Sequence, residues 1–366
     1  MTFNGLAPTL SDKLHFLASP AAYGAAVGPV EIKETHMSYV FLTEDRVYKL
    51  KKPAHRPLLD LTSLAARQAN CLEEVRLNRR LAPDLYLGTI ALTASADGEL
   101  ALGGSGETVD WLVVMRRLPA GLMLDRLLMQ DGLAKSKIDE LADLLARFYR
   151  MAERPKLAPE IYMARLVVEH RSNLAVLARS FPNFDRDVAL RISRRIDAAI
   201  ERLAPLLRAR AAAAALVEGH GDLRPEHICF NAPIVIFDCL EFSAELRTLD
   251  PFDELAYLAL ECSILVRQQA STSQEAVRAR QRDDAIIEAA DFGPLLIAKV
   301  AERLGQQPKP SLLCLYTALR AELRARLVLA HLLDAHPREP TKWAPRAMLY
   351  LALAEESLDR LDAAAS

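Results

Sequence analysis

The sequence predicts an α+β protein: a small antiparallel sheet carrying one helix, then a larger and mainly helical region. Three observations point there. Short strand-like runs separated by turn residues crowd the first 118 residues, apolar spacing of the helical kind dominates after Pro119, and one strand-like interruption at 227–242 breaks the helical part. A chain of 366 residues holds about two domains at roughly 150 residues each, so 1–118 reads as an amino-terminal lobe and 119–366 as a carboxy-terminal lobe.

Taken in order, 31–34, 39–43 and 47–52 are short β-type runs, and Glu44-Asp45-Arg46 closes the tightest connection between them. From 61 to 81 apolar residues recur at helical spacing, with Thr62 or Ser63 as N-cap and Pro83 just past the end. Two further strands follow at 85–93 and 111–118, joined by a flexible connection that contains Gly103-Gly104-Ser105-Gly106. The expected small lobe therefore has five strands with one helix after the third. Beyond Pro119, helical periodicity covers 138–152, 163–179, 188–214, 254–269, 312–333 and 345–361. The interruption at 227–242 reads as a hairpin, 227–230 and 233–237 around an Asn231-Ala232 turn.

Composition excludes several classes of function. Hydrophobic residues at 51% and charged residues at 26% exclude disorder and collagen-like chains. With 46 basic against 48 acidic side chains, no global field favours nucleic acid. Five scattered cysteines without a CxxC pair read as thiols in a reducing compartment. The amino terminus lacks a basic segment followed by an apolar one, and no run of about 20 apolar residues occurs. The expectation is a cytoplasmic protein with neither nucleic acid nor membrane as partner.

The chemistry concentrates in Glu218-Gly219-His220-Gly221-Asp222-Leu223-Arg224-Pro225-Glu226-His227, followed by Ile234-Val235-Ile236-Phe237-Asp238. Asp238 stands sixteen positions after Asp222. Phosphoryl transfer needs a carboxylate near the attacking hydroxyl and ligands that hold Mg²⁺ against nucleotide phosphates. A loop carboxylate followed by an apolar strand ending in a second carboxylate offers both. No GxxxxGK[ST] occurs, so P-loop chemistry is not encoded here.

The loop resembles the catalytic loop of the aminoglycoside phosphotransferase branch of the protein-kinase-like superfamily, in which His-Gly-Asp-Leu is followed by an Asn four residues after the Leu. Asp222-Leu223-Arg224-Pro225-Glu226 is also similar to the Asp-Leu-Lys-Pro-Glu run of protein kinases, and Ile236-Phe237-Asp238-Cys239 sits where the family carries its metal-binding Ile-Asp. Leu249-Asp250-Pro251-Phe252-Asp253-Glu254 resembles the segment that braces the catalytic loop. Thr35-His36-Met37-Ser38, Val47-Tyr48-Lys49-Leu50-Lys51-Lys52-Pro53 and Glu73-Glu74-Val75-Arg76-Leu77 resemble bacterial members, some of them fused to a separate P-loop kinase domain.

The resemblance implies a bilobal protein-kinase-like fold, with catalytic loop 218–230 and metal strand 233–242 in the larger lobe. It implies ATP as co-substrate, Mg²⁺ or Mn²⁺, and the hydroxyl of a small molecule as acceptor. Asp222 would accept or orient the hydroxyl proton. Arg224 would neutralise the transferred phosphoryl group, unless it is a surface arginine, and His220 would be loop scaffold. Strand alternation puts Val47, Lys49 and Lys51 on one face, with Val47 toward adenine, Lys49 toward phosphates, and Lys51 and Lys52 solvated. Glu74 would hold Lys49, with Glu73 as the alternative. His36 and Ser38, in the loop over the phosphates, would contact nucleotide or only pack. Arg116 and Leu118 belong to the inter-lobe linker, where backbone groups bind adenine in this superfamily.

His227 departs from the family by standing in place of a metal-binding Asn. Mg²⁺ prefers oxygen ligands whereas imidazole suits softer ions, so the site would rely mainly on Asp238, accept Mn²⁺, or be weak. The alternative function is a nucleotide-binding pseudokinase that acts through a protein partner. For the acceptor, Arg320 and Arg324 share a helix face at i, i+4 and favour an anionic or neutral molecule. The competing reading has them on a solvated helix face, pairing as Glu322 and Arg326 would. Glu241 and Glu245 are further candidates to orient it.

Overall fold

The computed structural model describes residues 8–24, 28–56, 59–130, 133–270, 286–287, 289–334 and 337–364. The first seven residues, part of the stretch read for a leader, lie outside them. The fold is α+β and divides into two compact units. One holds Met1–Leu122 together with His227–Leu246; the other holds Met123–Glu226 together with Arg247–Ser366.

In the first unit, α1 (Leu10–Ala18) starts at a reciprocal cap: Asp12 N–H donates to Thr9 Oγ1 at 3.2 Å, and Thr9 N–H donates to Asp12 Oδ2 at 2.8 Å. The sheet contains β1 (Glu31–Glu34), β2 (Ser38–Leu42), β3 (Arg46–Lys51), β4 (Tyr86–Ala94), β5 (Leu100–Leu102) and β6 (Glu107–Arg116), in antiparallel order β1-β2-β3-β6-β4-β5. Between β3 and β4, α2 (Leu64–Asn78) is capped by Ser63, whose Oγ accepts from Ala66 N–H at 3.1 Å.

Six strands replace the expected five. The residues just before the glycine-rich connection pair with β4, with Leu92 opposite Leu102 and Ala94 opposite Leu100. Gly103 N–H extends the ladder to Ala91 O at 2.8 Å. A run of three residues with no long periodicity reads as loop until its partner strand is known.

Alternation along β3 divides its residues between the two faces of the sheet. Tyr48 and Leu50 enter a buried cluster with Leu17, Phe41, Leu92, Leu112 and Val114 beneath α1. Lys49 and Lys51 take the opposite face, where both meet Glu74 of α2. The layers are tied by a buried carboxylate, Asp110 of β6. It accepts from Lys13 Nζ at 2.8 Å and from Arg67 Nε at 2.6 Å, so α1, sheet and α2 share one fully satisfied charge cluster.

The hairpin after the 218–227 loop pairs Ile228–Cys229 with Val235–Ile236. The sequence places this hairpin in the larger lobe, yet it groups with the first unit. Polar bonds tie the residues just after it to that unit: Asp238 N–H donates to Tyr86 Oη at 3.2 Å and Cys239 N–H to Asn78 Oδ1 at 2.9 Å. Such backbone-to-side-chain bonds leave no pattern in an apolar run.

The second unit contains α3 (Leu124–Gln130), α4 (Lys135–Met151), α5 (Pro159–Leu177), α6 (Arg186–Ala212), α7 (Pro251–Ala270), α8 (Ala289–Leu304), α9 (Pro310–Ala330) and α10 (Pro340–Ala363). Two of these, α3 and α8, are absent from the sequence reading. Val217–Glu218 pairs antiparallel with Thr248–Leu249, which brings the start of the 218–227 loop beside the start of α7. Among the described residues no helix is long and apolar enough to cross a membrane.

Candidate active site

The first unit carries a cluster of five alternating charges. Lys49 Nζ lies 2.7 Å from Glu74 Oε1 and 2.6 Å from Asp238 Oδ1. Lys51 Nζ contacts Glu74 Oε2 and lies 2.6 Å from Glu241 Oε1. The i, i+2 spacing on β3 produces this, because it sets two ammoniums on one face with a single helical carboxylate between them. Glu74 rather than Glu73 is the partner of Lys49; Glu73 bonds Arg76 one turn along the exposed face of α2, at 2.7 Å.

Burial works against the charges of Lys49, Lys51 and Glu74, and the neighbours outweigh it. The Lys49 ammonium is desolvated, yet Asp238 and Glu74 raise its pKa well above the ordinary lysine value. The Glu74 carboxyl is likewise desolvated, yet Lys49 and Lys51 hold it below the ordinary carboxylate value. Asp238 is pulled far down against desolvation by Lys49 and His227. Lys49, Lys51, Glu74 and Asp238 are thus each held in the charged form at neutral pH. The expectation that Lys51 stays solvated is corrected: its side chain is only 2% accessible. Lys52, the third lysine of the run, is also engaged, with Glu34 Oε1 at 2.7 Å and Tyr39 beneath it.

Asp238 differs from its neighbours in two ways. Its side chain is 42% accessible, and its backbone sits at φ 63°, a left-handed conformation that Asp tolerates better than most residues. Its second oxygen, Oδ2, lies 3.5 Å from His227 Nε2. Among the described residues no group of three or more His, Cys, Asp or Glu side chains is arranged to hold a metal ion. Mg²⁺, however, is commonly held through one or two carboxylates, with substrate phosphates and water completing the shell. An ionised, accessible carboxylate fits that demand. His227 adds a nitrogen donor next to it.

The remaining nucleotide-side candidates are placed as follows. Val47 is half-buried between Leu42 and Met115 in neighbouring strands. His36 is exposed in the turn before β2, and Ser38 is buried at the start of β2, its N–H donating to Thr35 Oγ1 at 3.0 Å. Arg116 N–H donates to Leu85 O at 3.0 Å, and its side chain donates to Asp84 O at 3.0 Å; Leu118 is half-buried just beyond. Glu241, read from sequence as an acceptor contact, instead faces Lys51 within this unit.

In the second unit the loop is held by its backbone. Glu254 Oε1 accepts from His220 N–H at 2.9 Å and Gly221 N–H at 2.6 Å, while its Oε2 accepts from Tyr149 Oη at 2.8 Å. Burial keeps the Glu254 carboxyl above its ordinary pKa despite these donors. Asp222 N–H donates to His220 Nδ1 at 3.3 Å, which uses the imidazole as scaffold. Tyr257 Oη donates to Asp222 Oδ1 at 3.1 Å, and Arg224 Nη1 stands 3.7 Å from Asp222 Oδ2 while Nη2 binds Glu226. Both oxygens of Asp222 thus have a positive or donor partner. Tyr257, one helical turn after Asp253, is a residue the sequence reading missed; nothing in its spacing marks it.

The acceptor arginines are corrected. Arg320 donates to both oxygens of Asp253 at 2.7 and 2.5 Å, and Arg324 binds Glu261 at 2.9 Å with Tyr350 beside it. These pairs lie between α7 and α9 and are nearly buried. Glu322 is not the partner of Arg326: it accepts from Ser193 Oγ at 2.6 Å and meets His170 Nδ1 at 2.7 Å, whereas Arg326 donates to Asn173 Oδ1 at 3.1 Å.

Comparison with known proteins places this geometry in context. No protein-family model matches the chain. Uncharacterized proteins of Mycobacterium tuberculosis (strain ATCC 25618 / H37Rv) and of Mycobacterium bovis are each 29% identical over 332 residues, covering 90% of this chain; the chain spans 60% of their length. A crystal structure of a choline/ethanolamine kinase family protein from Mesorhizobium loti superposes with a TM-score of 0.51 at 15% identity, covering 96% of this chain and 98% of that one. The chain has that fold.

Proposed function

We propose that this protein is a phosphotransferase that moves the γ-phosphoryl group of ATP to a hydroxyl of a small molecule. The observation that carries the reading is Lys49 bridging Glu74 and Asp238, the lysine–glutamate pair and the metal-type carboxylate in direct contact. The fold shared with a choline/ethanolamine kinase family protein supports it.

In this reading Lys49, held by Glu74, takes the nucleotide phosphates, and Asp238 with His227 is the place for the divalent ion. That ion would offset charge on the phosphates. Asp222, steadied by Tyr257 and Arg224, orients the acceptor O–H and takes its proton as the oxygen bonds to the γ-phosphorus and the bond to the β,γ-bridging oxygen breaks. The products are a phosphomonoester and ADP. Such positioned proton transfer contributes roughly 100- to 10,000-fold in rate.

The test is nucleotide-dependent thermal stabilisation with Mg²⁺ or Mn²⁺, followed by turnover against a panel of hydroxyl acceptors. The expected result is metal-dependent turnover that Asp222→Asn lowers by roughly 100-fold or more while nucleotide still raises the melting temperature. Absence of any nucleotide effect on the wild type would contradict it. One observation favours a second reading: Asp238 is bridged by Lys49 and His227 without a third metal-type ligand among the described residues. That suits a nucleotide-binding pseudokinase with a protein partner, which predicts stabilisation by nucleotide with no turnover across the panel.

A further inference from the structure

Kinase-type phosphate binding asks for one lysine and one glutamate, yet this cluster holds a second lysine and a third carboxylate with no part in that scheme. Lys51 and Glu241 are 2% and 13% accessible, against 14% for Lys49 and 42% for Asp238. A buried ion pair costs desolvation, so it calls for an account. Both lysines project from one face of β3, and both acids come from one short segment three residues apart, 238 and 241. Glu74 gives one oxygen to each lysine.

We propose that Lys51 and Glu241 form a positioning latch for the metal-type carboxylate Asp238. The inference rests on the phosphotransferase reading. When nucleotide and metal load, Lys49 and Asp238 are both drawn to new partners, and their mutual contact is the one that must give way. The 238–241 segment then keeps other anchors, among them Tyr86 Oη on Asp238 N–H, Asn78 Oδ1 on Cys239 N–H, Arg80 Nη2 on Cys239 Sγ, and Lys51 on Glu241. Lys51 is the anchor that meets a carboxylate of the segment, and it also prevents Glu74 from turning wholly toward Lys49. Neither residue touches the reacting atoms; both act through Asp238 and Glu74.

A latch and a simple charge effect make opposite predictions. Three carboxylates against two ammoniums leave the cluster at −1; Lys51→Met makes it −2 and Glu241→Gln makes it 0. If only charge mattered, the first would weaken and the second strengthen binding of a polyphosphate. A latch requires both to weaken binding of the metal–nucleotide complex.

The experiment titrates the full chain and its Lys51→Met, Glu241→Gln and doubly substituted variants with ATP, once with Mn²⁺ and once with EDTA, by calorimetry. The expected result is a loss of about tenfold in affinity for Mn²⁺–ATP in each single variant. The double variant should be no worse than the weaker single one, and Glu241→Gln should leave metal-free ATP binding within about twofold. Melting temperatures identify any variant that fails to fold, and Glu241→Gln, an isosteric change, carries the test in that event. Opposite-signed effects of the two single variants, or unchanged Mn²⁺–ATP affinity, overturn the latch alone. A wild-type chain that binds no nucleotide overturns the latch together with the phosphotransferase reading.

Discussion

Lys49–Asp238 in the first unit and Arg320–Asp253 in the second are both short ion pairs, and sequence reasoning marks both lysine and arginine as ligand-binding. Their surroundings differ. Arg320 and Asp253 meet through two parallel bonds and are 13% and 10% accessible, whereas Asp238 gives Lys49 one oxygen and stays 42% accessible. A bidentate, desolvated pair has no better partner to exchange for. A single contact to an accessible carboxylate does. Charge alone therefore does not separate the two pairs; the accessibility of one partner and the number of bonds between them do.

Breaking the locked pair should have the largest effect. Arg320→Ala leaves Asp253 buried and unpaired, a loss of about 3–5 kcal/mol, measurable as a reduced midpoint in urea unfolding. Lys49→Met should cost less by the same measurement, because Glu74 keeps Lys51 and Asp238 reaches water. Equal losses for the two would erase the distinction.

Backbone conformation sharpens it further. Asp238→Asn keeps a residue suited to φ 63°, whereas Asp238→Ala places a methyl-bearing residue in the left-handed region at a cost of about 1–2 kcal/mol. Both remove the carboxylate. The expected outcome is that both variants lose metal-dependent nucleotide binding while only the alanine variant unfolds earlier.

Much of this was legible in the sequence and some was not. Alternation along 47–51 set Lys49 and Lys51 on one face, and the His-Gly-Asp loop was read from its own residues. The role of Lys51 was not legible, because a Lys-Leu-Lys-Lys run has the pattern of a solvated face and its partner Glu241 is 190 positions away. The same holds for Arg320 and Arg324: their partners Asp253 and Glu261 lie on another helix, 67 and 63 positions earlier. Long-range charge pairing has no local period. Strand β5 and helix α1 are short elements that tertiary pairing defines.

A smaller effect belongs to the second unit. His170 is desolvated, yet Glu322 on Nδ1 and Asp197 at 3.2 Å from Nε2 raise its pKa above the ordinary value near 6.5, with Ser193 and Asn173 completing the shell around Glu322. A histidine raised in the folded state stabilises fully below the unfolded pKa and loses that contribution as pH rises through the folded value. Stability should therefore decline from about pH 6.5 upward, and His170→Gln should flatten that part of the profile. A wild-type profile rising across this range would contradict the assignment.

The most direct measurement is calorimetric titration of wild type, Lys49→Met and Arg320→Lys with Mg²⁺–ATP. Lys49→Met should bind about tenfold or more weakly, with Arg320→Lys close to wild type. Equal affinity of wild type and Lys49→Met would contradict the assignment of Lys49 to the phosphates and, with it, the reading of the first unit as the nucleotide-holding half.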